Sequence, residues 1–523
     1  MKQTIQNPIL KGFNPDPSVT EANGKYYIAV SSFEWLPGVR VYCSEDLVNW
    51  THETDILTNQ CDLRGNPLNC SIWAPQISFS EGTFYLVYTD VKSTNRPFKD
   101  CRNYLITATD INGPWSEPIY LNGSGFDPSL YHDEDGRKWI LNALWDYRMT
   151  TSNKSSGIVL QEYDPVKKHL TGDFKKIFDC THLKKTEAPH IYKLGAYYYL
   201  ITAEGGTGIN HSVTVARSKN IEGPYEVDPH FPMMTSSDHP DWPLQQSGHG
   251  SLIKTKEDEW YMVHLATRLI DGKYPILGRE TSIQKVYWDN SDWLRLEHGG
   301  KLPAVQVPVP EKYTGEVEQS TSRLFKDVFD SEKLNKEWNT LRIPADESWL
   351  SQKVHSGKLH MKSGESLQSL FDQHMIGKRQ ENFEFTAETS MDFEPKHYMQ
   401  MAGMALYLSA ETYLYAYVTY DEHSGKVLRM MQSVEGSFQL LEDIVELPEN
   451  ESVKLRVEVD QVRAQFYYQT ADDSEPQAFS SDKDISFLSG GYTGNFITLS
   501  CQDMNQFQGC SADFDYFVYE GKD

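Results

Sequence analysis

One short pattern of apolar and polar positions occurs five times in the first 290 residues. Each copy runs from a short motif through an apolar-leaning stretch to a turn, and then to an aromatic residue that begins a strongly apolar strand, as at 27–30 and 199–202. The copies begin at residues 16, 73, 127, 187 and 249, with spacings of 57, 54, 60 and 62 residues. Short strands and turns at this period predict a β-propeller with one four-stranded blade per copy.

The second half of the chain has a different pattern, in which apolar and polar residues alternate. The segments 453–459 and 462–468 are separated by a short turn, as in a β-hairpin. About 200 residues of such segments predict a β-sandwich. Prolines at 303, 308 and 310 keep the intervening stretch extended. We therefore predict an all-β protein in which a five-bladed propeller (1–310) is followed by a C-terminal sandwich (320–523), with a linker at 303–320.

Composition narrows the possible ligands. The 523 residues carry a net charge of −25, which disfavours nucleic acid or an anionic membrane as a partner. Aromatic residues make up 12% of the chain, and flat aromatic rings can stack on sugars. No membrane-length or signal-like apolar segment and no CxxC pair of cysteines is present, so we expect free thiols and a cytoplasmic protein.

The first residues of the five copies carry the candidate chemistry. Because equivalent positions on the inner strands of a propeller converge on its axis, we expect these side chains to meet at one end of the channel. Three of them are acids, and glycoside hydrolysis needs two carboxyl groups in different protonation states. A third carboxylate can raise the pKa of the acid, and an arginine can keep the base ionised. The five residues are Asp16, Trp73, Asp127, Glu187 and His249.

Each of these residues also has a structural explanation. An Asp-Pro-Ser motif can be a turn, Trp73 can be a core residue, Glu187 can lie at the surface, and His249 between glycines can be a satisfied polar residue. We favour a site because all five occupy the same position of the repeat.

Further candidates lie outside the repeat motif. Arg279 is at a strand edge, where it could instead pair with Glu280 at the surface, and the loop around Phe33 could wall a cavity or pack between blades. His211 and His239 are isolated and are interpreted as surface or loop histidines. No phosphate loop, nucleophile elbow or zinc-type spacing stands out.

The segment 7–18, which reads NPILKGFNPDPS, resembles the opening of glycoside hydrolase family 43, and specifically of its two-domain β-xylosidases. The resemblance covers essentially the whole chain and implies that the sandwich is concanavalin-like, or lectin-like. Further segments match that group in order, at 32–39, 72–75, 126–129, 186–190, 248–251, 277–281 and 512–517.

The resemblance implies an exo-acting, inverting hydrolase that releases xylose from the non-reducing end of β-1,4-xylo-oligosaccharides. In that case Asp16 is the general base that activates water and Glu187 is the general acid. Asp127 then raises the pKa of Glu187 and orients it.

The same resemblance assigns the binding residues. Arg279 is expected to bind sugar hydroxyls, Trp73 and Phe33 to shape the subsite for the terminal sugar, and His249 to lie on the axis. Phe507 of the sandwich is the candidate aromatic over the cavity mouth. No cofactor is required, although some relatives hold calcium near this axis, and one histidine is weak support for a hard cation. Relatives often form dimers or tetramers, so a homo-oligomer is expected.

Three other functions remain open. One is α-L-arabinofuranosidase, as the main or a second activity, because the two sugars present similar hydroxyl arrangements. A second is a five-bladed fructan hydrolase, which the order Asn14-Pro15-Asp16-Pro17 disfavours. The third is a propeller that binds sugar without catalysis.

Overall fold

The protein is all-β, and its first half is a five-bladed propeller. The computed structural model describes residues 3–317, 323–505 and 509–522. Within these ranges no helix is long and apolar enough to cross a membrane. The predicted combination of propeller and sandwich is confirmed. All seven cysteines are free thiols.

Each blade is an antiparallel sheet whose first strand in the chain is innermost, because the five first strands contact one another in a closed ring. The fourth blade has a fifth strand, Met234–Thr235, beside Ser212–Ser218. From the innermost strand outward, the blades are Ser18–Ala22, Lys25–Ser31, Val39–Ser44 and Thr51–Ile56; Ser71–Ser80, Thr83–Ser93, Asp100–Ala108 and Ile119–Asn122; Gly125–His132, Lys138–Trp145, Ser155–Asp164 and His169–Phe178; Glu187–Leu194, Tyr197–Glu204, Ser212–Ser218 and Glu226–Val227; and Gln245–Lys254, Trp260–Thr267, Glu280–Trp288 and Leu294–Leu296.

The end of the propeller is tied to its beginning. Strand Thr4–Gln6 pairs with Gln306–Pro308, which lies in the proline-rich stretch assigned to the linker. Val307 and Ile5 are buried in the same apolar cluster. The first residues of that stretch are therefore packed against the propeller and do not form a free connection.

Two eight-stranded sheets form the sandwich, and a large apolar core lies between them. Strand Val453–Asp460 shows why, since its buried and accessible positions alternate as the sequence pattern predicts. The first sheet contains Leu350–Ser351, Leu359–Lys362, Ser511–Gly521, Glu384–Asp392, Val453–Asp460, Arg463–Gln469 and Gln477–Asp484, with Leu324–Asp327 beside Ser511–Gly521. The second contains Ser437–Glu446, Gly425–Val434, Thr412–Asp421, Gln400–Ser409, Phe496–Asp503, Met375–Arg379, Trp338–Leu341 and Trp35–Leu36.

The last of these strands comes from the propeller, so the two domains share a sheet. Trp35 stacks on Phe496 of the sandwich with ring centroids 3.9 Å apart. A Cβ atom added to Gly278 would lie 2.7 Å from the Cα atom of Gly494, so the two backbones are in direct contact there. This interface holds a sandwich loop at the mouth of the propeller channel.

Candidate active site

A local distortion of the backbone, in or just before each inner strand, creates the site. In each blade the residue just before the proline or glycine of the repeated motif has a φ between 32° and 57°, in the left-handed region that side-chain-bearing residues rarely adopt. In blades two to five the strand register shifts around this residue, as in a β-bulge, which redirects a side chain. The five residues are Asp16, Ala74, Asp127, Ala188 and His249.

The bulges correct the alignment inferred from the sequence. Trp73 and Glu187 lie one residue before the bulge residues of their blades, Ala74 and Ala188. The prediction that all five motif residues share one position is therefore wrong for these two. Residue type marks the first chemically distinctive residue of each motif, whereas the positive φ occurs at the residue just before the proline or glycine.

Hydrogen bonds between blades support the corrected alignment. Ser18 Oγ, two residues after Asp16, donates to the carbonyl of Pro75, 2.9 Å away. The equivalent Ser129 Oγ donates to the carbonyl of Pro189 at 2.5 Å. Each serine thus contacts the proline that follows the bulge of the next blade. These bonds fix the relative heights of the inner strands.

A cavity of about 190 Å³ lies at this end of the channel. It is smaller than the 300–1,000 Å³ of typical small-molecule sites and suits one sugar ring better than a chain. Of the residues predicted for the site, only Phe507 lies outside the described residues. The other seven all line this cavity, namely Asp16, Phe33, Trp73, Asp127, Glu187, His249 and Arg279.

Asp16 is buried but keeps its charge. Arg279 Nη1 donates to Asp16 Oδ1 at 2.6 Å, and Ser31 Oγ donates to Oδ2 at 2.6 Å. His249 Nδ1 lies 3.6 Å from Oδ1. Burial alone would raise the pKa of Asp16, but Arg279, His249 and the Ser31 hydrogen bond outweigh it and hold that pKa below the ordinary 3.8. Asp16 is therefore a carboxylate at neutral pH.

The pKa values of Glu187 and Asp127 are raised, whereas that of Asp16 is lowered. Burial raises the pKa of Glu187 to about 7, to which the negative charge of Asp16 contributes. Burial also raises the pKa of Asp127 well above 3.8, and the charge of Glu187 raises it further. The two groups titrate as a pair, so this dyad holds a proton at neutral pH, beside an ionised Asp16.

Lys99, which no sequence motif indicated, supplies positive charge beside the dyad. Its Nζ lies 4.1 Å from the ring centroid of Phe126, 4.3 Å from that of Trp145 and 4.8 Å from that of Trp73. Burial lowers the pKa of Lys99, while its charge lowers the pKa of Glu187. Three aromatic faces thus hold an ammonium group where it limits how far the dyad's pKa values rise.

The sandwich contributes Tyr492, which the sequence analysis also missed. Arg279 Nε donates to the Tyr492 carbonyl at 3.1 Å, and the Tyr492 ring stacks beside Phe33 at 6.2 Å. Asn69 Oδ1 accepts from the Tyr492 amide at 3.2 Å. An aromatic contribution from the sandwich was expected at Phe507, and Tyr492 is one that the described residues provide.

His211 lies in a loop, as one of the two predicted alternatives has it, but it is not a surface residue. Its side chain is 1% exposed and lines the cavity, whereas His239 is exposed. Nδ1 lies 2.9 Å from the Gln246 carbonyl, and burial lowers the pKa of the ring to about 3. A Cβ atom at Gly248 would lie 2.6 Å from this ring, so only glycine leaves room for it. That contact between blades was invisible in the sequence.

Two buried polar atoms of the cavity residues lack a protein partner. They are Nη2 of Arg279 and Nε2 of His211. Buried polar groups are normally hydrogen-bonded, and an uncompensated one costs free energy. Sugar hydroxyls, which both donate and accept, can satisfy these atoms when a ligand fills the cavity.

The residues around His249 do not fit a calcium ion. Calcium takes six to eight oxygen ligands. The donors here are the His249 and His211 rings and the Asp16 carboxylate, which is already paired with Arg279. Across residues 3–317, 323–505 and 509–522, the one group of three or more His, Cys, Asp or Glu residues close enough to share an ion lies in the sandwich.

Comparisons with known proteins agree with this geometry. Residues 5–294 match the model of glycosyl hydrolases family 43, and residues 326–520 match the β-xylosidase C-terminal concanavalin A-like domain. A β-xylosidase of Bacillus subtilis is 42% identical over 541 residues, covering 99% of this chain and 100% of the relative. A xylosidase/arabinosidase of Humicola insolens is 41% identical, covering 98% and 97%. The crystal structure of a xylan β-1,4-xylosidase from Bacillus halodurans has a TM-score of 0.95 at 44% identity, covering 98% and 99%.

Proposed function

The chain belongs to glycosyl hydrolases family 43, and from this premise we propose that it releases xylose from the non-reducing end of short β-1,4-xylo-oligosaccharides. The proposal rests on one observation. The same cavity contains an ionised carboxylate and a carboxyl dyad that holds a proton. Asp16 is held ionised by Arg279, while the pKa of Glu187 is raised to about 7 and the dyad of Glu187 and Asp127 holds a proton up to about that pH. Such a pair can do acid and base chemistry at one pH.

The proposed reaction inverts the anomeric carbon in a single displacement. Glu187 donates its proton to the glycosidic oxygen as the bond from that oxygen to C1 breaks. Asp16 accepts a proton from a water molecule that attacks C1 from the opposite face. Arg279 stabilises the carboxylate form of Asp16 and offers Nη2 to a sugar hydroxyl. The product is α-xylose, and the leaving chain departs as an alcohol.

The shape of the cavity supports exo action. Its volume of about 190 Å³ is below the range for drug-sized ligands, so it suits one terminal ring. Phe33, Trp73 and Tyr492 supply aromatic surface along it, with ring centroids 5.7–6.2 Å apart. A xylose ring lacks the exocyclic hydroxymethyl group of a hexose, which favours xylose in so small a space.

Xylobiose hydrolysis followed by ¹H NMR tests the substrate, the exo action and the stereochemistry together. We expect α-xylose to appear first and to mutarotate afterwards to the equilibrium mixture. First-formed β-xylose would contradict inversion, and no cleavage of xylobiose would contradict the proposed substrate.

A second candidate activity is α-L-arabinofuranosidase, which the similarity to the Humicola insolens xylosidase/arabinosidase favours. Parallel kcat/KM values for aryl β-xyloside and aryl α-L-arabinofuranoside would rank the two. We expect the xyloside to be the better substrate. A clearly higher value for the arabinoside would make the second activity the main one.

The paired carboxyl groups predict a bell-shaped pH profile. Activity should fall on the acid side as Asp16 is protonated, below its lowered pKa, and on the alkaline side near pH 7 as the dyad loses its proton. Losing that proton leaves two neighbouring carboxylates. Asp127→Asn removes one of them, so the alkaline limb should move down by about one pH unit or more. An unchanged alkaline limb would refute this role of Asp127.

Lys99→Met should have the opposite effect. It removes the cation that lowers the pKa of Glu187, so the alkaline limb should move up by about one pH unit. Lys99→Arg keeps both the charge and the stacking on the aromatic rings and should restore the original limb. A limb that moves down in Lys99→Met would show that Lys99 acts through something other than its charge.

A further inference from the structure

A second cluster of ligand-type side chains lies on the sandwich, outside the cavity. His360 is on strand Leu359–Lys362 and is the direct cross-strand partner of Asp513. His355 precedes that strand in a tight turn, where the Lys358 amide donates to the His355 carbonyl at 3.2 Å. Gly357 has a φ of 73° in this turn, a conformation that favours glycine. The turn returns the chain so that both imidazoles face one carboxylate.

Each imidazole nitrogen already lies at a ligand-like distance from the same carboxylate oxygen. His355 Nδ1 lies 3.0 Å and His360 Nδ1 2.8 Å from the same oxygen, Oδ1 of Asp513, and all three ligand atoms lie within 4.8 Å of one another. With zinc bonds of about 2.0–2.2 Å, ligand atoms are about 3.3 Å apart at tetrahedral angles and about 2.9 Å apart at right angles. The two Nδ1–Oδ1 distances are close to these values, and the two imidazole nitrogens would have to approach each other by up to about 1.5 Å to complete a tetrahedral arrangement.

In the part of the chain that the structure describes, no lysine or arginine pairs with Asp513, so its carboxylate is available to bind a cation. Lys358, in the same hairpin, pairs with Asp392 and with Asp515, the latter at 2.8 Å. Among the described residues, the ion pairs of Asp513 are with the two histidines alone. A cation bound there would face a carboxylate that no lysine or arginine neutralises.

We propose that His355, His360 and Asp513 bind a borderline divalent transition metal such as Zn²⁺, with water completing the coordination. Two imidazoles and one carboxylate favour such ions over Mg²⁺ or Ca²⁺, which prefer oxygen ligands. The side chain of His355 is 54% exposed, which gives the ion a path from solvent. His360 and Asp513 are 12% and 18% exposed, so the site is partly enclosed.

The site would tie the hairpin to the last strand of the sandwich. The spacing His355-x₄-His360 lies within the range typical of zinc ligands, but the third donor is 153 residues from His360, so the sequence alone does not reveal it. Because metal binding stabilises only the folded form, Zn²⁺ should raise the thermal midpoint. The site does not depend on the proposed hydrolase activity.

Isothermal titration of the untagged, EDTA-treated and dialysed full chain with Zn²⁺ tests the site. We expect one saturable site per chain, a rise in thermal midpoint with Zn²⁺, and no comparable response to Mg²⁺. His355→Ala and His360→Ala should each weaken Zn²⁺ binding by at least the 10- to 100-fold that outer-shell changes typically cost. His423→Ala, which removes an exposed histidine from another turn of the sandwich, is the matched control and should bind like the wild type.

Two further measurements keep the test decisive. His355→Ala changes an exposed residue, and its circular dichroism and glycosidase activity should match the wild type, which separates loss of the metal from loss of the fold or of catalysis. Co²⁺ bound to the wild type should show visible d–d bands that disappear in the His355→Ala variant. Absence of saturable Zn²⁺ binding, or equal binding by the wild type and both histidine variants, would overturn the proposal.

Discussion

Replacing Asp16 by Asn should lower kcat on xylobiose by about 10²–10⁴-fold, the range typical of a lost general base. The amide is nearly the same size as the carboxylate but cannot accept the proton of the attacking water. Arg279 and Ser31 now bind the two carboxylate oxygens at 2.6 Å each, and this environment keeps Asp16 ionised for that task. Steady-state kinetics on xylobiose would measure the loss.

Two substrates with different leaving groups show which step is impaired in the Asp16→Asn variant. Since the base acts on water, the loss should be similar for xylobiose and for an aryl xyloside with an activated leaving group. Ser31→Ala is the matched control, because it removes one hydrogen bond and leaves the carboxylate. The Ser31→Ala variant should keep kcat within about tenfold of the wild-type value. The acid limb of its pH profile should shift to higher pH, because the pKa of Asp16 rises. A kcat for Asp16→Asn within tenfold of the wild type would contradict the assignment.

Replacing Glu187 by Gln should give an equally large loss on xylobiose, about 10²–10⁴-fold, but for a different reason. The leaving group is then a sugar hydroxyl, which departs poorly without a proton. A dinitrophenyl xyloside has a leaving group that needs no proton, so its loss should be far smaller. The variant should also lose the alkaline limb of the pH profile, because the group with a pKa of about 7 is gone.

Comparison of the two substrates separates this acid role from a structural one. A misfolded variant would lose both activities in parallel, and its circular dichroism would differ from that of the wild type. Glu280→Gln is not a suitable control, because Glu280 accepts two hydrogen bonds from Arg268 and is 1% exposed. Equal losses on xylobiose and the dinitrophenyl xyloside would contradict the assignment of Glu187 as the acid.

Much of this site was predictable because its parts are encoded locally. Asp16 and Asp127 both have a positive φ and each precede a proline, and the repeat places them at the inner strands of their blades. The same repeat misplaced Glu187 by one residue, because a residue pattern does not show which residue of a motif adopts a positive φ. The resemblance to family 43 supplied the roles that the repeat could not.

Other parts of the site were not predictable because they come from segments that no motif connects. Lys99 is recognisable only when the rings of Trp73, Phe126 and Trp145 surround it. Tyr492 belongs to a glycine-rich loop of the sandwich that has no catalytic signature. Lys99 contributes charge to the cavity and Tyr492 contributes shape. Both contributions depend on where the side chain lies in the folded protein more than on the residue type.

The five blades, the sandwich and the identity of the three acids follow from the sequence, because strand periodicity and turn residues act between near neighbours in the chain. The folded arrangement sets which carboxyl group is ionised and which two share a proton. Asp16 keeps its charge because Arg279, 263 residues away, donates to it, and Arg279 is in turn bonded to Tyr492 a further 213 residues along. Burial and Coulomb interactions depend on distance in space, and here that distance is set by the closure of the propeller and its contact with the sandwich.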